Sequence, residues 1–254
     1  MRGISSATGT YSSLSAGTAD RNRSGGLLRD AGRADLHPLA GSPHRSFQPR
    51  EIEARIRQHT VLAQLVRSIE PETADALASE LLRAFGTLGR IFAASQAAIS
   101  QVIDSQILAT VLSSARFAVL ESLREEVRGA AFDIRDERFL TYLVAKMQGI
   151  AEEQLHAIFL DHRRHYIADE LFAEGTWDQI SFRLRPLLRR ALELNAASVV
   201  LFHNHPSGNA AASAKDREFT RKAAAIARTL DIALLDHLIV AGPRVHSMRA
   251  AGEL

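Results

Sequence analysis

The chain contains no cysteine, which excludes disulfides and any thiolate metal site. It also has no stretch approaching the roughly 18 consecutive apolar residues of a membrane span. The N-terminus lacks the apolar core of a secretory signal, so a cytoplasmic location is the expectation. A large excess of either charge sign is missing as well. Residues 51–150 hold eleven basic and thirteen acidic side chains, and residues 151–254 hold thirteen of each. Neither part advertises a surface for phosphates. The net charge of +2 originates in residues 1–50, with seven arginines against three aspartates. That stretch is Ser, Gly, Ala, Arg and Pro without periodicity and reads as a disordered, solvated tail. An arginine tail of this kind could touch nucleic acid only weakly. With 254 residues, 46% hydrophobic and 24% charged, the chain has room for one substantial domain and a smaller one.

From Glu51 to Arg128 the pattern is helical. Ile52, Ile56, Val61, Leu62, Leu65, Val66 and Ile69 recur at steps of three and four. Pro71 interrupts, and Ala74, Leu77, Ala78, Leu81, Leu82 and Phe85 resume the stripe up to Gly86. Further helices are expected over 96–102 and 106–127. The apolar stripes are assigned to core packing.

Beyond residue 130 strands and helices alternate. A helix is expected over 135–147, stopped by Gly149, and then a hairpin of two β-like segments, 154–161 and 165–172. A strand is expected over 180–184, followed by a helix with Pro186 in its first turn and running to Leu194. The apolar run Ala197–Phe202 reads as a buried strand, Lys215–Leu230 as a helix, and 233–240 with 245–248 as closing strands. Such alternation implies an α/β fold, a mixed sheet with flanking helices, preceded by the helical region.

The run Ala197–Phe202 leads into His203-Asn204-His205-Pro206-Ser207-Gly208. In an extended backbone residues i and i+2 face the same way, so His203 and His205 can present their rings together. Ser213 is a plausible N-cap, and Asp216 falls in the first turn of the next helix, where a carboxylate suits the positive end and can reach back to the histidines. Two histidines and one aspartate supply three ligands and leave a position open, as catalytic zinc sites do.

These residues carry a resemblance. His203-x-His205, seven residues, Ser213, two residues and Asp216 match the JAMM (JAB/MPN) metallopeptidase motif. The text around it is similar to the RadC-like branch, namely the loop from His203 to Gly208, Arg189–Ala197 before it and Leu234–Val240 after it. The resemblance runs from about residue 130 to 254. It implies the cytidine-deaminase-like sandwich of that family and a Zn²⁺ ion held by His203, His205 and Asp216. It also implies a serine, Ser213, that helps hold an oxyanion, and a peptide or protein substrate cut at an amide or isopeptide bond. The general base of the family is a glutamate just before an early strand. Glu153 matches, with Glu152 one register away and Glu170 more distant. Two other classes are open: a nucleic-acid binder associated with DNA repair, as the family's name implies, and a metal-free interaction module.

The sequence departs from the family at two places. RadC-like chains carry a glycine-bearing helix-hairpin-helix unit in the helical region, where backbone amides approach DNA phosphates. Here that position, within residues 51–128, reads Ile99-Ser100-Gln101-Val102-Ile103-Asp104, which lacks the permissive glycines and adds an unfavourable charge. Ala210-Ala211-Ala212 stands before Ser213 where proline is common, so the loop is expected to be less rigid. Of the other histidines, His156 reads as a satisfied core residue and His162 and His165 as solvated. His237 reads as a partner in an Asp-His hydrogen bond or a residue behind the ligands. Arg183, Arg185, Arg189 and Arg190 read as a solvated face.

Overall fold

A computed structural model of the chain describes residues 49–129, 131–175 and 184–254. The tail expected over 1–50 lies outside the described residues as far as residue 48, and its last two residues, Pro49 and Arg50, open a helix instead. The strand expected over 180–184 up to Arg183, and the side chain of Arg183, also lie outside the described residues. Leu184 opens a helix instead.

Among the described residues five helices come first: α1 Pro49–Arg67, α2 Ala74–Phe85, α3 Leu88–Ala93, α4 Gln96–Ser100 and α5 Gln106–Arg128. Their inward residues, including Leu62, Val66, Leu81, Ile91, Ile99, Leu108 and Leu112, form one buried cluster. Thr87, Ser95 and Ser105 cap α3, α4 and α5, each side chain accepting from a backbone N–H three residues on. These caps satisfy donors that a helix start leaves over. The six-residue α3 is too short to show a periodic stripe and was not expected from the sequence. At the hairpin between α4 and α5, Ile99 and Ile103 turn into the core. The N–H groups of Gln101, Val102 and Ile103 all donate to carbonyls of Ala97 and Ile99. α5 is 23 residues long and apolar enough for a membrane span by length and composition alone. Here it buries Leu108, Ala109, Leu112 and Val127 against protein.

The α/β part follows as α6 Glu137–Met147, β1 Gln154–Leu160, β2 Tyr166–Glu174, α7 Leu184–Glu193, β3 Ser198–Asn204, α8 Ala214–Arg228, β4 Ala233–Ala241 and β5 Arg244–Ser247. The strands form one mixed sheet in the order β2-β1-β3-β4-β5. Only β3 and β4 are parallel. Every residue of β3 is buried, as expected of a central strand covered on both faces. Val200 and Phe202 point to α6, where Phe139, Tyr142 and Leu143 meet them. Val199 and Leu201 point to α7 and α8, against Leu187, Phe219 and Ala223. Complete burial of a side chain such as Phe202 is worth about 1.5–3 kcal/mol. By the same two-residue period His203 belongs to the α8 face and Asn204 to the α6 face.

The helical region and the sheet fall in one compact unit, joined where α5 crosses α6. Arg116 of α5 donates to the carbonyls of Lys146 and Gln148 at 2.6 and 3.0 Å. These belong to the end of α6, which a cation suits. Deeper in the seam Asp169 of β2 receives Tyr166 Oη at 2.6 Å and Arg124 at 3.1 Å, together with Tyr142 and Lys146.

Candidate metal centre

The cluster forms at the C-terminal end of β3. His203 is its sixth residue, wholly buried and paired across to Leu155 and Ile239. His205 follows where the strand ends, its backbone N–H still donating to Val240 O at 2.9 Å. Asp216 arrives from α8, fixed by a capping box: Ser213 Oγ accepts from Asp216 N at 3.1 Å, and Asp216 Oδ2 accepts from Ser213 N at 2.5 Å. The reciprocal bond satisfies two donors at the helix start and sets the aspartate rotamer.

His203 Nε2 lies 2.9 Å from His205 Nε2 and 3.2 Å from Asp216 Oδ1, while His205 Nε2 is 3.6 Å from Asp216 Oδ2. Tetrahedral ligands bound about 2.0–2.1 Å from one zinc ion lie about 3.3 Å apart, and the observed separations bracket that value. The far nitrogens are engaged elsewhere: His203 Nδ1 meets His237 Nε2 at 2.9 Å and His205 Nδ1 meets the Asn209 carbonyl at 2.7 Å. Both Nε2 atoms therefore face the carboxylate. Asp216 Oδ1 is buried with no hydrogen-bond donor among the described residues. A buried carboxylate oxygen without a donor, beside two converging imidazole nitrogens, fits a divalent cation.

The electrostatics agree. Burial pushes His203 below the usual histidine range despite the neighbouring Asp216. His205 is moved up, chiefly by its interaction with Asp216. Burial works to raise Asp216, but the two histidines and the Ser213 N–H outweigh it and hold the carboxyl far below its ordinary value. An ionised aspartate with a neutral buried histidine is the protonation state that ligands require.

Glu153 immediately precedes β1 and is half-buried. After Asp216, it is the acidic group whose charge favours protonated His203 and His205. Glu152 is exposed, and Glu170 on β2 is turned to Arg190 at 2.8 Å. Ser213 both caps α8 and keeps a hydroxyl proton to donate, because accepting from Asp216 N uses only a lone pair.

Other histidines divide. His156 lies in the core, stacked on Phe202 with centroids 5.1 Å apart, but it is only half satisfied. Nε2 meets Gln154 Oε1 at 3.1 Å and Nδ1 has no hydrogen-bond partner among the described residues, which corrects the expectation of a satisfied ring. Burial takes its pKa down to about 3. His237 stands behind His203, and Asp236 does not bind its ring. Asp236 Oδ1 instead accepts from the backbone N–H of His237 at 2.7 Å and of Arg249 at 2.9 Å. Two contacts were missed in the sequence: Thr220 Oγ1 lies 2.6 Å from His237 Nδ1, and the Asn204 carboxamide bonds the backbone of Glu152 and Gln154. Asn204 was readable only as the residue between two histidines, and the strand period that turns it to the opposite face was the available signal.

A mixed five-stranded sheet with helices on both faces, and a His-His-Asp cluster where its central strand meets a capped helix, defines an α/β protein of JAB/MPN type. A family model described as RadC-like JAB domain matches residues 135–253. The chain is 34% identical over 228 residues to a UPF0758 protein of Bordetella petrii, covering 87% of this chain and 98% of that one. It is 34% identical over 191 residues to a UPF0758 protein of Cupriavidus pinatubonensis, covering 72% and 81%. A UPF0758 protein of Vibrio vulnificus is 35% identical over 182 residues, covering 69% and 79%. The chain belongs to the RadC-like JAB family.

Proposed function

We propose that the chain is a zinc-dependent hydrolase of JAMM type that cuts a peptide or isopeptide amide in a protein or peptide substrate. The observation that carries this reading is the convergence of His203 Nε2, His205 Nε2 and the donor-free Asp216 Oδ1. These three side chains would hold the ion. When bound, zinc polarises a carbonyl and makes water acidic enough to supply hydroxide near neutral pH.

The chain's own groups do the rest. Glu153 takes the proton from the attacking water and returns it to the departing amine, as a general base and then acid. Ser213 donates its hydroxyl proton to the oxygen on which negative charge develops. Asp216 stays ionised throughout, because the Ser213 N–H of the capping box and the neighbouring His205 stabilise the charged form.

The test is elemental analysis of the purified chain beside a His203→Ala, His205→Ala double variant, followed by a peptidase screen with Glu153→Gln as control. About one zinc per chain, lost in the double variant, with turnover abolished by Glu153→Gln, is the expected result. No zinc in the folded wild-type chain with zinc supplied would overturn the reading.

A further inference from the structure

Two fully buried side chains behind the ligands, Thr220 of α8 and His237 of β4, have no part in the chemistry above. Their contacts leave one consistent arrangement of protons. Thr220 Oγ1 lies 2.6 Å from the Asp216 carbonyl oxygen. A carbonyl has no proton to give, so the hydroxyl donates, one turn back along its own helix. The same Oγ1 lies 2.6 Å from His237 Nδ1. With its single proton committed it can only accept there, and His237 Nδ1 carries hydrogen. Neither imidazole is exposed at all, which disfavours a charged ring, so His237 Nε2 is a lone pair. That atom is 2.9 Å from His203 Nδ1, which must donate to it. The lone pair of His203 is then on Nε2, facing Asp216.

We propose that Thr220 and His237 are positioning residues that fix the proton of His203 on Nδ1 and so commit Nε2 as the ligand atom. The metal's part in this rests on the hydrolase reading, whereas the proton assignment stands without it. Metal-bound histidines commonly donate their second N–H to a carboxylate, a backbone carbonyl or water, groups whose direction as acceptors is settled. Here the partner is another imidazole, able to give or to accept. Thr220 removes that ambiguity, because its own hydroxyl is tied to the backbone of the third ligand. The circuit begins at the Asp216 carbonyl and ends at the Asp216 carboxylate.

The test uses the full chain labelled with ¹⁵N-histidine, with ring tautomers read from long-range ¹H–¹⁵N correlations in the metal-free state and zinc affinity read by competition with a chromophoric chelator. In Thr220→Val, His237 is expected to shift its proton to Nε2 and drive His203 to the Nε2–H form, with zinc affinity falling roughly 10- to 100-fold. Thr220→Ser restores both. Unchanged tautomers and affinity in Thr220→Val would overturn the proposal. If that variant does not fold, the wild-type spectrum decides, since Nε2–H on His203 overturns it equally. A wild-type chain that binds no zinc yet shows Nδ1–H on both rings would sink the hydrolase reading and leave the relay intact.

Discussion

The Asn204 carboxamide holds the backbone on both sides of Glu153: Nδ2 donates to Glu152 O at 2.8 Å and Oδ1 accepts from Gln154 N at 2.8 Å. Because residues alternate along β3, the side chain between His203 and His205 points away from the His-His-Asp cluster and toward the segment that carries Glu153. One strand end thus fixes both halves of the proposed centre.

Replacing Asn204 by Ala breaks both bonds and takes the partner from the half-buried Gln154 N–H and from the Glu152 carbonyl. We expect a loss of about 1–3 kcal/mol in denaturant unfolding. Zinc content is expected to stay near wild type while hydrolysis falls, because the ligands are untouched and Glu153 is released. Loss of zinc in step with hydrolysis would contradict this division of roles.

Ser213→Ala removes an N-cap and, on the function proposed above, an oxyanion donor together. The cap is worth about 1 kcal/mol of stability, and the donor about 10²- to 10³-fold in turnover. Ser213→Thr keeps both a cap and a hydroxyl and is expected to recover most of each. Equal turnover for Ala and Thr variants would limit Ser213 to the capping box.

Asp169, 1% exposed at its side chain, neutralises Lys146 and Arg124 in the seam between α5, α6 and β2. Asp169→Asn is expected to cost about 3–5 kcal/mol at neutral pH, since it strands buried cations. Burial alone would raise the Asp169 pKa, but Lys146 and the hydroxyls of Tyr142 and Tyr166 outweigh it, and the folded value lies below the ordinary 3.8. A carboxyl with a lowered folded pKa contributes its full stability above the ordinary value and loses it as pH falls toward the folded one. The difference between wild type and variant should therefore narrow below about pH 4, measured by urea unfolding across pH. A constant gap down to pH 2 would show that ionisation of Asp169 is not the source.

Gly149 follows α6 with φ +81°, and a Cβ there would lie 2.2 Å from the Gly89 carbonyl oxygen. Gly149→Ala combines left-handed backbone strain with a collision between α3 and the end of α6, for an expected loss of about 2–5 kcal/mol. Gly208 in the ligand loop has φ +80° but open space around it. Gly208→Ala should lose only the conformational part, about 1–2 kcal/mol. Similar losses at both sites in thermal unfolding would argue against the close approach.

What the sequence determined by itself was whatever short-range rules control. His203 and His205 share a face because strand side chains repeat every two residues, and Ser213 with Asp216 forms a cap because a helix start brings residues three apart together. The long stripes of α1, α2 and α5 and the apolar runs of β1, β3 and β4 were legible for the same reason. The six-residue α3 was not, and strand and helix ends moved by a few residues. Only the tertiary structure decided the partners that lie far apart in the chain: His237, 34 residues from His203; Thr220, 17 from His237; and Asn204, 50 from Gln154. A hydrogen bond between two elements depends on strand order, register and the helix that covers them, and no local period records any of the three.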